Sequence, residues 1–438
     1  MDSLVIANLF LLLFLGLADN QMIAVLLPAL VKSLGINLSA AGLLVVVYSM
    51  AAAVAAFFSG TLSDHYGRRR FLLAGVGLFA VSSWAASWSH TLDELMLARA
   101  LTGLAAGTLS TCSITFAADR FPYHVRGRAI GLISSAYFAA PILGVPIAAQ
   151  IADHFGWPRA FLFFAALAAV VTFATLRLPH DRHSQFEVRS PELEVPSAGS
   201  DFRGPKSEVQ TTGFGISNPE SVVRSSDLGL WTSDVLLRKT LDAFRSFLSR
   251  RDTAAALVIA FLVSGGLVGF LTYIGQWLNS SFGIATRTLG WVFMLGGLVA
   301  VVSAPLGGIL SDRWGKRAMS IASNVLLALA VALVPFLPWG FGLLAVFGLA
   351  SLGAAFRQGP LTALMTEMVP AAQRGSFIAL RNIASQLGIG ATAYVGGVLF
   401  QRFGYRAVTS LCSLMTGAVV VLLATHIVEP QGAQTSSR

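Results

Sequence analysis

Apolar residues fill long blocks of this chain, and polar residues collect in the short intervals between them. Twelve blocks can be drawn, at approximately residues 4–28, 41–61, 71–89, 93–117, 129–151, 160–178, 253–277, 288–310, 318–337, 341–366, 377–399 and 407–427. Each approaches or exceeds the roughly 20 residues that carry a helix across the hydrocarbon core of a bilayer. Barrel strands are shorter and alternate in polarity, so these blocks predict helices, numbered 1–12 in chain order. The first block lacks a basic flank and a small-x-small cleavage site, and eleven more follow it, which makes it helix 1 and not a secretory signal. Breakers mark the tight loops: Pro122 and Pro370 follow helices 4 and 10, and Pro338 and Gly340 part helices 9 and 10. Pro141 and Pro146 fall inside helix 5, which must bend or loosen there. Lipid tolerates such a break only where neighbouring protein re-satisfies the freed carbonyls.

The polar intervals carry a repeat. Gly60-Thr-Leu-Ser-Asp64-His-Tyr-Gly67-Arg68-Arg69 returns 248 residues on as Gly308-Ile-Leu-Ser-Asp312-Arg-Trp-Gly315-Lys316-Arg317. At the same offset, Asp119-x-x-Pro122-x-x-x-Arg126-Gly127 becomes Glu367-x-x-Pro370-x-x-x-Arg374-Gly375, and Phe155-Gly156-Trp157 becomes Phe403-Gly404-Tyr405. One offset held over nearly a hundred residues gives two halves with equal segment and loop lengths, which in so apolar a chain marks a secondary transporter. The expected fold class is all-α and integral to the membrane: twelve transmembrane helices as two pseudo-symmetric six-helix bundles, residues 1–178 and 253–428. Residues 179–252 form a linker between them and 429–438 a tail.

The first part of the linker, from Leu178 to about Trp231, is rich in Ser, Pro, Gly and charge and reads as disordered. From Ser233 to Arg251, Leu237, Leu241, Phe244 and Leu248 keep helical spacing while Arg238, Lys239, Arg245 and Arg250 lie mostly elsewhere. This predicts a basic amphipathic helix, either on the inner leaflet or packed under the two bundles. His180, Asp181 and His183 read as solvated polar residues, not as a metal site.

Composition agrees with the pattern. The chain is 55% hydrophobic and 12% charged, against about 25% charged in soluble domains. The net charge of +9 reflects topology and not nucleic acid: with the N-terminus inside, cytoplasmic segments hold 22 Lys and Arg, outer loops five, and helices the remaining three. That asymmetry predicts both termini in the cytoplasm of a cell (inner) membrane protein. Cys112 and Cys412 sit in apolar blocks and read as packing residues.

The decapeptide at 60–69 resembles motif A of the major facilitator superfamily, and the copy at 308–317 its usual partner between helices 8 and 9. Gly60 and Gly308 are expected to let helices approach closely, and Gly67 and Gly315 to give a tight turn its backbone freedom. The resemblance implies a cytoplasmic gate built from Gly60, Asp64, Gly67, Arg68, Arg69, Gly308, Asp312, Gly315 and Arg317, with Arg381 as a partner for Asp64. Helix 1, from Asp19 through Asn20 and Gln21 to Leu27-Pro28, is similar to the helix-1 motif of the twelve-helix drug:proton antiporter branch. Arg99-Ala-Leu-Thr102-Gly103, with Gly107, resembles motif B. Gly131, Pro141 and Gly144 in helix 5 partly match motif C, in which the family has Gly where Ala140 and Val145 stand here.

A carboxylate inside a membrane helix costs about 2.5–3.5 kcal/mol on insertion scales, so an idle Asp19 is unexpected. Arg99, in a helix of opposite direction, falls at matched depth and is its simplest counter-charge. Asp19 and Arg99 are therefore the proton-coupling candidates. Arg357 and Gln358 in helix 10, with Asn20, Gly103, Tyr273 and Gln276, are the substrate-cavity candidates. For Arg357, an anionic substrate group and pairing with Glu367 stand as equal readings; for Trp277, a place in the interfacial aromatic belt is favoured over the cavity. Across the repeat the counterparts of Asp19, Arg99, Arg357 and Arg381 are Leu267, Phe347, Leu109 and Ile133, so every charge within the membrane breaks the symmetry.

The function expected is secondary active transport of a small organic molecule by alternating access, as proton-coupled efflux, with protons, the substrate and the lipid bilayer as partners. The resemblance implies a monomer by default. Proton symport or facilitated uptake of a sugar or organic acid is the rival within transporters, and a non-transporting membrane sensor the rival outside them. No nucleophile constellation, metal cluster or Gly-x-x-x-x-Gly-Lys-Ser/Thr loop is present, so neither an enzyme nor ATP-driven transport is expected, and no cofactor.

Overall fold

The computed structural model describes residues 2–178, 245–370 and 374–427. Twelve helices of membrane length run α1 (Asp2–Leu34), α2 (Leu38–Tyr66), α3 (Arg68–Ser87), α4 (Leu92–Arg120), α5 (Val125–Phe155), α6 (Trp157–Leu176), α7 (Arg251–Phe282), α8 (Thr286–Trp314), α9 (Lys316–Phe336), α10 (Phe341–Glu367), α11 (Arg374–Phe403) and α12 (Tyr405–His426). The described residues contain no strand. Helices start where capping chemistry allows: Asn37 Oδ1 accepts from the Ala40 amide, and Thr91 and Glu94 form a reciprocal capping box. The sharp turns α2–α3 and α8–α9 use Gly67 and Gly315 at φ +93° and +89°, a region a side chain rarely adopts.

Pro141 and Pro146 loosen α5 as expected. Neither can donate to the carbonyl four residues back, and Ala140–Gly144 becomes a π-helical turn, with the Val145 amide bonded to the Ala140 carbonyl. Protein packs against the break from α1 and α8, while Leu143 is exposed. A Cβ on Gly144 would stand 2.4 Å from that of Ala18 in α1, and one on Gly297 of α8 would stand 2.7 Å from Ile142.

The periphery is apolar. Leu97, Val170, Phe173, Val302, Leu329 and Leu414 are each between 65% and 73% exposed, a surface suited to hydrocarbon and not to water. The chain is a multi-pass membrane protein of two six-helix halves, α1–α6 and α7–α12.

The halves meet at the end that carries the α1–α2 and α7–α8 loops, opposite the motif turns. There Ser39 Oγ donates to Gln401 Oε1 at 3.3 Å. Backbones nearly touch: a Cβ on Gly42 would lie 2.6 Å from the Ala393 carbonyl, and one on Gly275 would lie 2.3 Å from that of Ala24. At the motif end the expected close approach is not made. A Cβ on Gly60 would lie 3.9 Å from Thr111, and one on Gly308 would meet nothing within 4 Å. The seam of the two halves is elsewhere in this conformation, so these glycines face no backbone.

Two further expectations change. Trp277 is buried and stacked on Tyr405 at 4.9 Å, so it packs inside the second half and not in an interfacial belt. Of the linker, 179–244 lies outside the described residues, including most of the expected amphipathic helix. Residues 245–249 are helical, but Phe247, outside the predicted apolar stripe, is the buried anchor, edge-on to Phe377 at 5.5 Å, while Leu248 is exposed.

Candidate functional site: a buried ion pair beside an arginine-lined cavity

Asp19 and Arg99 meet. Arg99 Nη1 donates to Asp19 Oδ2, and both residues are 0% exposed. The local packing explains the meeting. Gly103 and Gly107 lay α4 directly on α2, since a Cβ at either would lie 2.3 Å from the carbonyl oxygen of Tyr48 or Ala52. That contact carries the Tyr48 ring to within 4.4 Å of the Arg99 guanidinium carbon, a cation–π geometry. The Tyr48 hydroxyl donates to the Gly16 carbonyl at 2.9 Å, tying α2 to α1 one turn before Asp19. On the other side, the π-helical turn of α5 presses Gly144 against Ala18.

The pair is sparsely bonded. Asp19 Oδ1 and Arg99 Nε and Nη2 have no hydrogen-bond partner among the described residues. A buried pair gains most when further hydrogen bonds satisfy both groups, and here the Tyr48 ring covers part of the guanidinium instead. Chemically, the carboxylate can be kept ionised by Arg99 or accept a proton on a free oxygen, and the two states differ by one charge in the membrane interior.

The second half also buries a cation, with no acid beside it among the described residues. Arg357 in α10 is 4% exposed; its Nη1 donates to Asn324 Oδ1 of α9 at 3.1 Å and its Nη2 to the Val263 carbonyl of α7 at 3.2 Å. Glu367 is taken by Lys316, which leaves Arg357 with neutral partners. Arg381 in α11 reaches Thr362 Oγ1 at 3.4 Å, and its Nε is unbonded. Both arginines line a cavity of about 390 Å³ between the halves, with Asn20, Tyr137, Gln358 and the rings of Phe270, Phe293 and Phe347. A second space of about 860 Å³ shares Asn20, Tyr137, Gln358 and Arg381 and extends past Thr111, Asn382 and Gln386 toward the motif end.

Of the expected cavity residues, Asn20, Arg357 and Gln358 line this space, and Gly103, Tyr273 and Gln276 do not. Gly103 serves the α2–α4 contact. Tyr273 is fully buried at the seam, its hydroxyl donating to the Ala393 carbonyl, and Gln276 lies three residues further along α7. Tyr48, Tyr137, Asn324 and Thr362 were not foreseen. They are neutral residues in apolar blocks, and only comparison across the repeat could have flagged Tyr48 and Asn324, whose counterparts are Gly296 and Val76.

At the motif turns the repeat holds in space. Arg68 Nε pairs with Asp119 Oδ2 at 2.6 Å, and Lys316 Nζ pairs with Glu367, both partners shifted by 248 residues. Arg69 donates to the Leu176 carbonyl at the end of α6, and Arg317 to the Leu423 and Ala424 carbonyls at the end of α12. Asp312 is exposed, the Asp64 side chain lies outside the described residues, and Arg381 faces the cavity. No group of three or more His, Cys, Asp or Glu able to hold a metal occurs among the described residues.

Comparison with known proteins gives a consistent picture. A sequence model of the Major Facilitator Superfamily matches residues 9–280 and 256–438. Multidrug resistance protein Stp of Mycobacterium tuberculosis (strain CDC 1551 / Oshkosh) is 27% identical, over 88% of this chain and 74% of its own. Methyl viologen resistance protein SmvA of Salmonella typhimurium (strain LT2) is 26% identical, over 88% of this chain and 79% of its own. The crystal structure of a D-xylose-proton symporter superposes with a TM-score of 0.72 at 16% identity, covering 98% of both chains, a likeness of fold.

Proposed function

The chain belongs to the Major Facilitator Superfamily, and from that premise we propose that it exports a small organic molecule in exchange for protons. The observation that carries this reading is the sparsely bonded Asp19–Arg99 pair beside a cavity between two symmetric halves. Asp19 is the proton carrier and Arg99 its electrostatic partner. When the carboxylate is ionised, Arg99 holds it. When it is protonated, the Coulomb attraction is lost, Arg99 is released and the packing around Tyr48 and the α5 turn can change. The names of the relatives, a multidrug resistance protein and a methyl viologen resistance protein, support the outward direction.

The polar ends carry the rest. With both termini cytoplasmic, as the Lys and Arg distribution implies, the motif turns face the cytoplasm and the seam lies outside. The cavity then opens inward, and this conformation is the one that loads substrate from the cytoplasm. Motif A closes it in the opposite state, when α2 and α8 tilt and Gly60 and Gly308 come against their neighbours. The chain needs no enzymatic step and works as a monomer.

The test is Asp19→Asn in proteoliposomes under an imposed pH gradient. The variant should fold, because Asn preserves shape and a hydrogen bond to Arg99, and gradient-driven flux should vanish. Intact gradient-driven flux would sink the assignment of Asp19.

A further inference from the structure

We propose that the molecule carried is an organic anion: a carboxylate on an aromatic or otherwise apolar body. This rests on the reading of the cavity between the halves as the substrate site, and it names the class of substrate.

The argument begins with charge. The cavity of about 390 Å³ has two charged lining residues, Arg357 and Arg381, and both are cations. Among the described residues, no Asp or Glu lines it or the larger space beside it. Asp19 is fully buried, bonded to Arg99 and absent from both linings. Glu367, the one acid on the helix of Arg357, is held by Lys316 at the motif end. Among the described residues, the positive charge of the cavity is therefore not compensated by an acid. A cation taken out of water without a counter-charge is strongly penalised, and such groups within membranes mark ligand pathways.

Geometry adds to charge. Arg357 is held by neutral acceptors from two other helices, Asn324 Oδ1 and the Val263 carbonyl, which fix the guanidinium without neutralising it. Arg381 is bonded through Nη2 to Thr362 at the long limit, and its Nε is free. Thr362 is on α10, five residues beyond Arg357, so the two cations come to the cavity from adjoining helices. Guanidinium groups bind carboxylates in a bidentate manner, with more strength and direction than neutral donors. The rest of the wall is apolar and aromatic, with Phe138, Phe270, Phe293 and Phe347 able to cover a ring. An organic cation would find two like charges and no acid, an arrangement that rejects it.

The charge of the cargo also shapes coupling. One-for-one exchange of an inward proton for an outward anion moves two positive charges inward, so an inside-negative potential drives it. The same exchange for a monovalent cation is electroneutral.

The experiment uses the full chain in lipid nanodiscs and three isosteric probes: 2-naphthoate, 2-naphthylmethanol and 2-naphthylmethylammonium. Binding is read by thermal shift and equilibrium dialysis, without a proton gradient. The carboxylate should bind at least tenfold more tightly than the ammonium. Arg357→Gln should remove most of that preference, Arg357→Lys should keep part of it, and Arg381→Gln, at the less buried arginine, should reduce it if the first variant does not fold. In proteoliposomes, naphthoate efflux should rise with an inside-negative potassium diffusion potential. A carboxylate that binds no better than the ammonium or the alcohol, or not at all, overturns the proposal, as does a preference untouched by both arginine variants. Failure here leaves the coupling role of Asp19 standing, and intact gradient-driven flux in Asp19→Asn leaves this proposal standing.

Discussion

The two halves share a backbone and differ in where they bury charge. In the first half Arg99 is bonded to Asp19 beneath the Tyr48 ring. The same three positions in the second half hold Phe347, Leu267 and Gly296, and a Cβ on Gly296 would lie 2.8 Å from the Phe347 ring. The reverse exchange is as complete. Arg357 and Asn324 of the second half occupy the places of Leu109 and Val76, both fully buried and apolar in the first. Each half has thus replaced one apolar contact by one polar contact, at different places in the repeat. One site is a closed ion pair and the other a cation without an acid among the described residues, and the proposed exchange of a proton for an anionic cargo would use one in each half.

Exchanging the contacts between halves tests that division. Arg99→Phe alone leaves Asp19 buried without its partner and should cost about 3–5 kcal/mol, read as a large loss of thermal stability in detergent. Adding Asp19→Leu, which gives the first half two of those three residues and keeps Tyr48, should bring stability to within about 1 kcal/mol of the original chain, because replacing a whole buried pair by apolar groups is often neutral. Gradient-driven flux should remain absent. If the double variant stays as unstable as the single one, the pair is not separable from the packing of α1 on α4.

Asn324→Val makes the smaller change in the second half. It removes one of the two neutral acceptors of Arg357 and should cost about 1–3 kcal/mol. Asn324→Val with Arg357→Leu copies the Val76–Leu109 contact and should recover that loss, with carboxylate binding abolished and Asp19–Arg99 undisturbed. The glycines divide the same way by geometry. Gly103→Ala forces a Cβ toward the Tyr48 backbone and should destabilise by about 1–3 kcal/mol. Gly60→Ala has room and should stay within about 0.5 kcal/mol in stability. Slowed transport by that otherwise neutral variant would reveal the approach of α2 to its neighbour in the opposite state.

What could be read from the chain beforehand follows from the kind of signal each feature leaves. Twelve apolar blocks and a fixed offset determine helices, loop lengths and the symmetric halves, because a bilayer leaves few alternatives. Asp19 and Arg99 could be paired because two opposite charges at one depth have little else to do. Arg357 could not be assigned, since choosing between Glu367 and a substrate depends on which way α10 turns, and helix rotation is set by packing. Asn324 and Tyr48 leave a fainter trace still. A neutral polar residue in an apolar block costs little, so it raises no alarm until its neighbour is known. Tyr273 went the other way: an aromatic residue with a hydroxyl suits a cavity wall, yet the seam used it as a hydrogen-bonded spacer against Ala393.

The smallest effects belong to the ion pairs at the motif turns, where the halves are alike. Arg68–Asp119 and Lys316–Glu367 connect equivalent positions, and their acidic members are 61% and 40% exposed. Water screens such pairs, so Asp119→Asn and Glu367→Gln should each change stability by about 0.2–1 kcal/mol and by similar amounts. Transport is the discriminating measurement. If the two turns form one gate that opens and closes as a unit, the two substitutions should slow turnover to the same extent while leaving carboxylate affinity unchanged. Unequal slowing would mean that the repeat preserves the shape of the turns but assigns the latch to one of them.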